Sequence, residues 1–578
     1  MSPPASHRHH HRKRPVVRSL FVLCAMVVLA ALVALGLGAA AHGRSGGGSG
    51  HHPTAHRNGH RAAHRSGPGT TSKTGPGSAT TFLGPYGVES KAIIAQNQKP
   101  GTTAWELHPS GTGSIAGFAN TTYASIGQTV TLYVTTTAPT FHVIAYRMGY
   151  YQGKGGREIW RSPTLEGVRQ PSCPVTPTVN MVSCTNWTPS VKVHITKAFF
   201  QGDYLLKLVG SGNQQSYILL TVWQPSDHAP YLMMARSLTE HGWNTYGGYS
   251  YYTGHGPCTL GQTSSYPQCN RARIVSFARP FATGNGASDF LGSEYPLVRF
   301  MEQHGLDVAY CTDITVSAHP GLLAHHKVLL SLDHDETWTS SELTGVKSAV
   351  AHGMNVVFFG AAPIVRHARL QSSPLGPDTE EVDYRTATED PLHASGNPMT
   401  VTGNTWATPP TNVSVTSFVG SEYSGFVLPT VSALPFTVYQ ATAWIFAGTG
   451  LHDGQSIPNV IGSDINHLNP TAEPADVQVF GHSPLPLADV YTNQGNWNGV
   501  TYSDMTYYTV PGSGAGIFES GTVNWINAIN PCAVAGGTCT NAPIAKITGN
   551  LLDAMGRGPA GKLHPSVPNW KTVTPPGS

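Results

Sequence analysis

Asp333-His334-Asp335-Glu336 place one imidazole and three carboxylates side by side in the sequence. Such groups bind metal ions and transfer protons, and they are costly to bury unless they are paired, protonated or bound to a metal. A solvated turn ahead of a helix would also suit these residue types. The segments on either side favour a functional site.

Those segments predict a strand before the cluster and a helix after it. Lys327–Leu332 is an apolar run typical of a buried strand, and Thr339 and Glu342 have the spacing of a capping box ahead of a helix that ends near His352. Ligands of open α/β sheets bind at the carboxyl ends of strands. The polar cluster is therefore predicted to lie at such an edge.

A second candidate segment, Trp243–Tyr252, contains four tyrosines and two glycines. A phenolate oxygen binds hard cations such as ferric iron, whereas aromatic packing at an interface is the simpler explanation of tyrosines alone. The Gly-rich loop Arg279–Pro296 lacks the P-loop pattern, so it is either a mobile substrate loop or a plain connection.

Cys311 follows a predicted strand, Leu306–Tyr310, where a nucleophile could lie. No G-x-C-x-G turn surrounds it, so a packed free thiol is favoured over a nucleophile. The sequence also has no H-E-x-x-H, which leaves a zincin-type protease without support.

Composition indicates an exported, β-rich protein. Only 11% of the residues are charged, and there are 64 Gly and 44 Pro. Residues 1–80 contain ten Lys or Arg and no Asp or Glu, and the remaining 24 basic and 31 acidic residues give a net charge of −7. This mildly acidic part has no basic signal for nucleic-acid binding.

The N-terminus predicts membrane attachment. Residues 1–19 form a basic cytoplasmic segment, residues 20–41 an uncharged run long enough to span a bilayer, and residues 42–81 a disordered linker. A signal anchor is favoured, while Ala39 and Ala41 leave open a cleaved signal peptide and secretion. In both cases the folded part is extracytoplasmic.

Three cysteine pairs lie close in sequence, which suits disulfides in an oxidising compartment. The predicted pairs are Cys173–Cys184, Cys258–Cys269 and Cys532–Cys539.

Two folded domains are expected. Short alternating strands separated by Gly, Pro and Asn turns predict an Ig-like β-sandwich over residues 82–226. Alternating strands and helices predict an α/β domain with a parallel sheet over residues 227–556, with an insertion of strands and long loops within 370–500. Residues 557–578 form a flexible tail.

Several segments together resemble the large (β) subunit family of N,N-dimethylformamidase. The resemblance covers about residues 85–556. It implies that the α/β domain is glutamine-amidotransferase-like and that an amide is hydrolysed at a single iron, held by two tyrosines and one glutamate beside a histidine. It is carried by YRMGYYQGKGGREIW (Tyr146–Trp160), WNTYGGYSYY, SEYPLVRFMEQHGLDVAYCTD, KVLLSLDHDETW, NVVFFGA and MTYYTVPGSGAGIFESGTVNW.

By this resemblance the H-x-E motif maps onto His334 and Glu336. Tyr246 and Tyr252 are the chosen tyrosine ligands, with Tyr251 and Tyr295 as alternatives. The sequence departs from the family in its membrane anchor, its local disulfides and Gly462-Ser463-Asp464, where relatives have Glu in place of Asp.

The predicted function is that of a membrane-tethered hydrolase of a carbon–nitrogen bond in a small amide. Glu336, Tyr246 and Tyr252 would hold ferric iron, and His334 would act as general base or orient water, positioned by Asp335 or Asp333. A homo-oligomer or a small-subunit partner is possible, and no nucleic-acid partner is expected. The alternative is a non-catalytic envelope protein that binds a partner through a degenerate scaffold.

Overall fold

A computed structural model of the chain describes residues 81–255, 270–469, 474–492, 499–529 and 541–573. The predicted cytoplasmic segment, anchor and most of the linker lie outside these residues, as do the pairs Cys258–Cys269 and Cys532–Cys539. Within the described ranges no helix is both long and apolar enough to cross a membrane. The fold is mixed α/β, with many sheets and few helices.

The part before residue 227 is built mainly from two sheets, which are antiparallel except for the short parallel pair of β4 with β13. One has the order β11-β5-β3 and the other β4-β13-β12-β6-β7, with β8 beside β6. Strand β5 alternates between buried and more exposed side chains, because successive residues of a strand point to opposite faces. The elements are β1 (Thr81–Gly84), β2 (Gly87–Ser90), α1 (Lys91–Asn97), β3 (Ile115–Ala119), β4 (Tyr123–Ala124), β5 (Thr129–Thr136), β6 (Thr140–Met148), β7 (Gly156–Arg161), β8 (Leu165–Glu166), β9 (Val175–Thr176), β10 (Met181–Val182), β11 (Val191–His194), β12 (Gly202–Gly210) and β13 (Gln215–Val222).

The disulfide Cys173–Cys184 was predicted and is confirmed, with a Cα–Cα distance of 4.4 Å. It closes the loop that contains the short β9–β10 hairpin.

A seven-stranded sheet dominates the later part, in the order β16-β14-β17-β19-β29-β28-β26. The first five strands are parallel to one another. Strand β28 pairs antiparallel with β29 on one side and with β26 on the other. All six residues of β17 are buried, as expected for a parallel strand covered on both faces. The elements are β14 (Tyr231–Ala235), α2 (Ser237–Trp243), β15 (Ile274–Ser276), α3 (Phe290–Ser293), α4 (Tyr295–Gln303), β16 (Val308–Thr312), α5 (Asp313–Ala318), β17 (Val328–Asp333), β18 (Thr337–Thr339), α6 (Ser340–Ala351) and β19 (Asn355–Gly360).

Small sheets formed mainly by residues 366–492, together with β15 and β18, lie near the end of β17. They have the orders β15-β21-β20-β18, β25-β22-β27 and β23-β24. The remaining elements are β20 (Arg366–Ser373), β21 (Gly376–Val382), α7 (Thr416–Val419), β22 (Glu422–Val427), β23 (Leu434–Thr437), β24 (Ser456–Ile461), β25 (Asp464–His467), β26 (Gln478–Pro486), β27 (Val490–Thr492), β28 (Val500–Thr509), β29 (Gly516–Glu519), α8 (Trp525–Ile529) and α9 (Ala542–Gly556).

Candidate active site

The polar cluster follows β17 directly, as predicted, and it is buried. Asp333, Asp335 and Glu336 are 6%, 0% and 7% exposed, which excludes a solvated turn. Asp333 has a φ of +59°, a strained conformation for a residue other than glycine, and it turns the chain out of the strand. The capping box of Thr339 and Glu342 is confirmed at the start of α6.

Glu336 lies in contact with two aromatic side chains. The Tyr252 hydroxyl donates a hydrogen bond to Glu336 Oε1, and Trp243 Nε1 donates to the same oxygen at 3.0 Å. The rings of Trp243 and Tyr252 stack with centroids 3.6 Å apart. Both come from the segment that begins at the end of α2, so the two predicted clusters meet although 84 residues separate Tyr252 from Glu336.

Two arginines set the charge of this carboxylate. The Arg385 guanidinium lies 3.9 Å from the centroid of the Tyr252 ring and 4.0 Å from Glu336 Oε1. Burial raises the pKa of Glu336, but the positive charges of Arg385 and Arg366 outweigh burial and hold that pKa below its ordinary value. Glu336 is therefore ionised at neutral pH.

His334 belongs to a chain of charged groups that runs to Arg236. Its Nδ1 lies 2.8 Å from Asp333 Oδ1, and Asp333 Oδ2 accepts a hydrogen bond from Arg236 Nη2 at 2.9 Å. Burial lowers the pKa of His334 and the Asp333 carboxylate raises it. The effect of the carboxylate is larger, so the pKa of His334 is raised to about 9. With Nδ1 held, Nε2 is left without a hydrogen-bond partner among the described residues.

Asp333 is thus the carboxylate in hydrogen-bond contact with His334. Asp335, the other predicted partner, accepts from Ser331 Oγ at 2.9 Å. Burial raises the pKa of Asp335 to about 7, and it lies close enough to Asp313 and Glu342 to raise the pKa of both.

The other candidate tyrosines lie elsewhere. Tyr246 packs in a cluster with Phe118 and Trp187 beside the Cys173–Cys184 disulfide. The Tyr251 hydroxyl donates to the backbone carbonyl of Glu381 at 2.7 Å, and Tyr295 packs edge-on against Trp105. Of the four candidates, Tyr252 is the one in contact with Glu336.

Two further groups near Glu336 were not predicted as site residues. Tyr423 on β22 has its pKa raised by burial and by the nearby carboxylates of Asp464 and Glu336. Asp464, at the start of β25, has its pKa raised by burial to about 7. Asp464 was expected only as a departure from the family pattern, and residues 370–500 show no clear periodicity that would place it at a site.

Cys311 is buried and free, in agreement with a packed thiol. Burial raises the pKa of this thiol, which disfavours the thiolate that a nucleophile requires.

The oxygen donors around Glu336 suit a hard cation. Glu336 and Tyr252 are in contact, and Tyr423 and Asp464 lie close by. Within the described ranges no group of three or more His, Cys, Asp or Glu residues is placed to hold a metal.

Comparison with protein families identifies a match. A family model described as N,N-dimethylformamidase beta subunit-like, C-terminal, matches residues 142–541. No curated protein matches the chain. Among solved structures, a cycloisomaltooligosaccharide glucanotransferase from Paenibacillus sp., complexed with cycloisomaltoheptaose, is similar at 13% identity over 22% of this chain and 16% of that chain, with a TM-score of 0.14.

Proposed function

The chain belongs to the N,N-dimethylformamidase beta subunit-like family, and from this premise we propose that it hydrolyses the carbon–nitrogen bond of a small amide. Water adds to the amide carbonyl, the C–N bond breaks, and a carboxylic acid and an amine are released. The observation that carries the proposal is the contact of Glu336 with Tyr252 at the carboxyl end of a parallel strand, beside the His334–Asp333 pair.

We propose that Glu336 and Tyr252 hold iron, with Tyr423 or Asp464 completing the donor set in place of Tyr246. These groups fit because they are carboxylate and phenol oxygens that approach one another in a buried site. Bound iron would polarise the amide carbonyl and lower the pKa of water. Arg385 and Arg366 keep Glu336 ionised, so the carboxylate is ready to act as a ligand.

His334 is proposed to move the proton. Asp333 holds Nδ1 and raises the pKa of His334 to about 9, so the ring is protonated at neutral pH and Nε2 carries a proton. Nε2 delivers this proton to the departing amine nitrogen and recovers one from the water that adds to the carbonyl. Arg236 fixes Asp333 in turn, which makes Arg236 a positioning residue. Trp243 orients Glu336 through its indole N–H.

The remaining expectations belong to the same proposal. The two mainly antiparallel sheets before residue 227 support an Ig-like sandwich, and the central sheet, with its five parallel strands, supports an amidotransferase-like domain. Export, tethering through residues 20–41 and a possible small-subunit partner rest on the sequence alone.

The test combines metal analysis with an amide-hydrolysis assay on the full-length protein. Wild type should contain about one iron per chain and release amine from small amides such as N,N-dimethylformamide. Glu336→Ala should lose both metal and turnover, whereas His334→Ala should keep the metal and lose roughly 100-fold or more in turnover. Glu166→Gln, at an exposed site on β8, is the matched control.

Wild-type protein that lacks metal and hydrolyses no amide would contradict the proposal and favour the non-catalytic scaffold. Iron retained by Glu336→Ala would show that the ligands lie elsewhere.

A further inference from the structure

A cavity lies between the two main parts of the fold, lined by residues from both. It is partly enclosed and has a volume of about 60 Å³, room for a ligand of a few non-hydrogen atoms. Strands β3, β12 and β13 form one wall, and α2 with the segment after β15 forms the other.

Three carboxyl groups line this cavity: Asp203, Glu240 and Glu294. All are at most 6% exposed. Asp203 accepts a hydrogen bond from Thr221 Oγ1 at 2.7 Å, whereas Glu240 Oε1 has no hydrogen-bond partner among the described residues. The Arg236 guanidinium lies 4.0 Å from Glu240 and 3.9 Å from Glu294, beyond hydrogen-bond distance.

The positive charges near the cavity do not offset the burial of these three carboxyl groups. Arg236 makes its close ion pair with Asp333 at 2.9 Å. Arg279 also lines the cavity. Its Nη1 and Nη2 groups donate to backbone carbonyls, the closest that of Tyr249 at 2.8 Å, and its Nε has no hydrogen-bond partner among the described residues. Burial raises the pKa of Glu240 to about 8 and also raises the pKa of Glu294.

The other walls are aromatic. Phe277 and Phe281 line the cavity on either side of His241, with ring centroids 4.1 and 4.7 Å from the imidazole. His241 is 3% exposed, and neither ring nitrogen has a hydrogen-bond partner within the described structure. Burial and Arg279 lower the pKa of His241, so the ring is neutral and one of its nitrogens can accept a hydrogen bond.

We propose that this cavity binds a small alkylammonium ion through Glu240, Glu294 and His241, with Phe277 and Phe281 around its alkyl groups. Carboxylates and aromatic faces are the groups that recognise organic ammonium ions. The bound ion adds the positive charge that the buried acids lack, and its N–H groups fill the unused acceptors on Glu240 and His241.

The cavity is connected to the active site through Arg236. The same guanidinium lies near Glu240 and Glu294 on one side and binds Asp333, the partner of His334, on the other. A protonated amine is a product of the proposed amide hydrolysis. The inference that the natural ligand is this product rests on the proposed function. The inference that the cavity binds an ammonium ion does not.

The test uses a pair of ligands with the same shape and different charge, isopropylammonium and 2-propanol. Each is titrated into full-length protein at constant ionic strength, and ligand-observed NMR measures the Kd. Isopropylammonium should bind saturably and 2-propanol should not. Glu240→Gln and Glu294→Gln should each weaken ammonium binding roughly tenfold or more, because a charged hydrogen bond is lost. The control, Glu166→Gln, should leave the Kd unchanged.

Equal binding of 2-propanol would overturn the proposal, and so would an unchanged Kd in both glutamine variants. A complete lack of saturable isopropylammonium binding would also overturn the proposal. The wild-type comparison needs no variant, so a folding defect in a glutamine variant does not weaken the test.

Glu336→Ala separates this inference from the proposed function, because it should abolish hydrolysis and retain ammonium binding. Amide hydrolysis without ammonium binding would overturn the inference alone. Ammonium binding without hydrolysis of any amide would overturn the proposed function, and it would still support the cavity as a binding site for alkylammonium ions.

Discussion

Arg236 shows how distance decides the state of a buried carboxyl group. Asp333, 2.9 Å from the guanidinium, has its pKa held well below the usual range, although burial acts to raise it. Glu240, 4.0 Å from the same guanidinium, has its pKa raised to about 8 by burial. The Arg236 cation therefore keeps Asp333, the partner of His334, ionised, but it does not offset the cost of burying a charge on Glu240.

Asp203 gives a prediction about pH and stability. Burial raises its pKa from 3.8 to about 6 in the folded protein. The folded state therefore holds this proton more tightly than the unfolded state, and the resulting stability is present below about pH 4 and lost as the pH rises towards 6. Asp203→Asn cannot ionise, so above pH 6 it should be more stable than wild type by up to about 3 kcal/mol.

Urea unfolding at about pH 4 and about pH 7.5 measures this difference. The advantage of Asp203→Asn should vanish at the lower pH. A constant difference at both values would show that ionisation of Asp203 is not its cause.

At the scale of elements, the site depends on the transition from β17 to α6. The loop between them is fixed by backbone hydrogen bonds, from Ile364 N to Asp335 O at 3.0 Å and from Arg366 N to Glu336 O at 2.6 Å. The N-cap of α6 follows three residues after Glu336, and its side chain accepts a hydrogen bond from the backbone N–H of Glu342 at 3.1 Å. Helix α6 and the loop that carries Glu336 are therefore positioned together.

Thr339→Ala should lower the free energy of unfolding by about 1 kcal/mol, because the first turn of α6 loses its side-chain cap. Thr344→Ala, an exposed change in the same helix, should stay within about 0.5 kcal/mol of wild type. Denaturant unfolding of both variants measures the two effects. Equal losses would show that the cap does not contribute.

At the scale of the whole molecule, a buried ion pair joins the two parts. Arg147 on β6 and Glu302 on α4 have fully buried side chains. Their hydrogen bonds include Arg147 Nη1 to Glu302 Oε2 at 2.9 Å, and Tyr310 and Asn97 donate to the same carboxylate at 2.8 Å each. The Arg147 of the YRMGYY motif is thus a structural contact between the parts, remote from the described site.

Arg147→Met should lower the free energy of unfolding by about 3–5 kcal/mol, because it leaves Glu302 buried without its charge partner. The matched control is Arg161→Met, which breaks the half-exposed pair with Glu158 and should cost about 1 kcal/mol or less. Chemical denaturation of the two variants provides the comparison. A loss for Arg147→Met no larger than that of the control would contradict the structural role.

Features set by neighbouring residues could be predicted from the sequence alone. The buried strand, the acidic loop and the capped helix over residues 327–352 follow from hydrophobic runs and capping chemistry, which act within a few residues. The disulfide Cys173–Cys184 follows from a short separation along the chain. The resemblance to a family added the prediction that Glu336 and a tyrosine of segment 243–252 share one site.

Only the tertiary structure decided which side chains meet. Tyr252 reaches Glu336 whereas Tyr246 packs beside the disulfide, because a turn of a few residues sends neighbouring tyrosines in different directions. Tyr423 and Asp464 approach Glu336 from small sheets about 90–130 residues later in the chain, and nothing local in the sequence encodes that distance. Local pattern determines elements, while the packing of distant elements determines the constellation of a site.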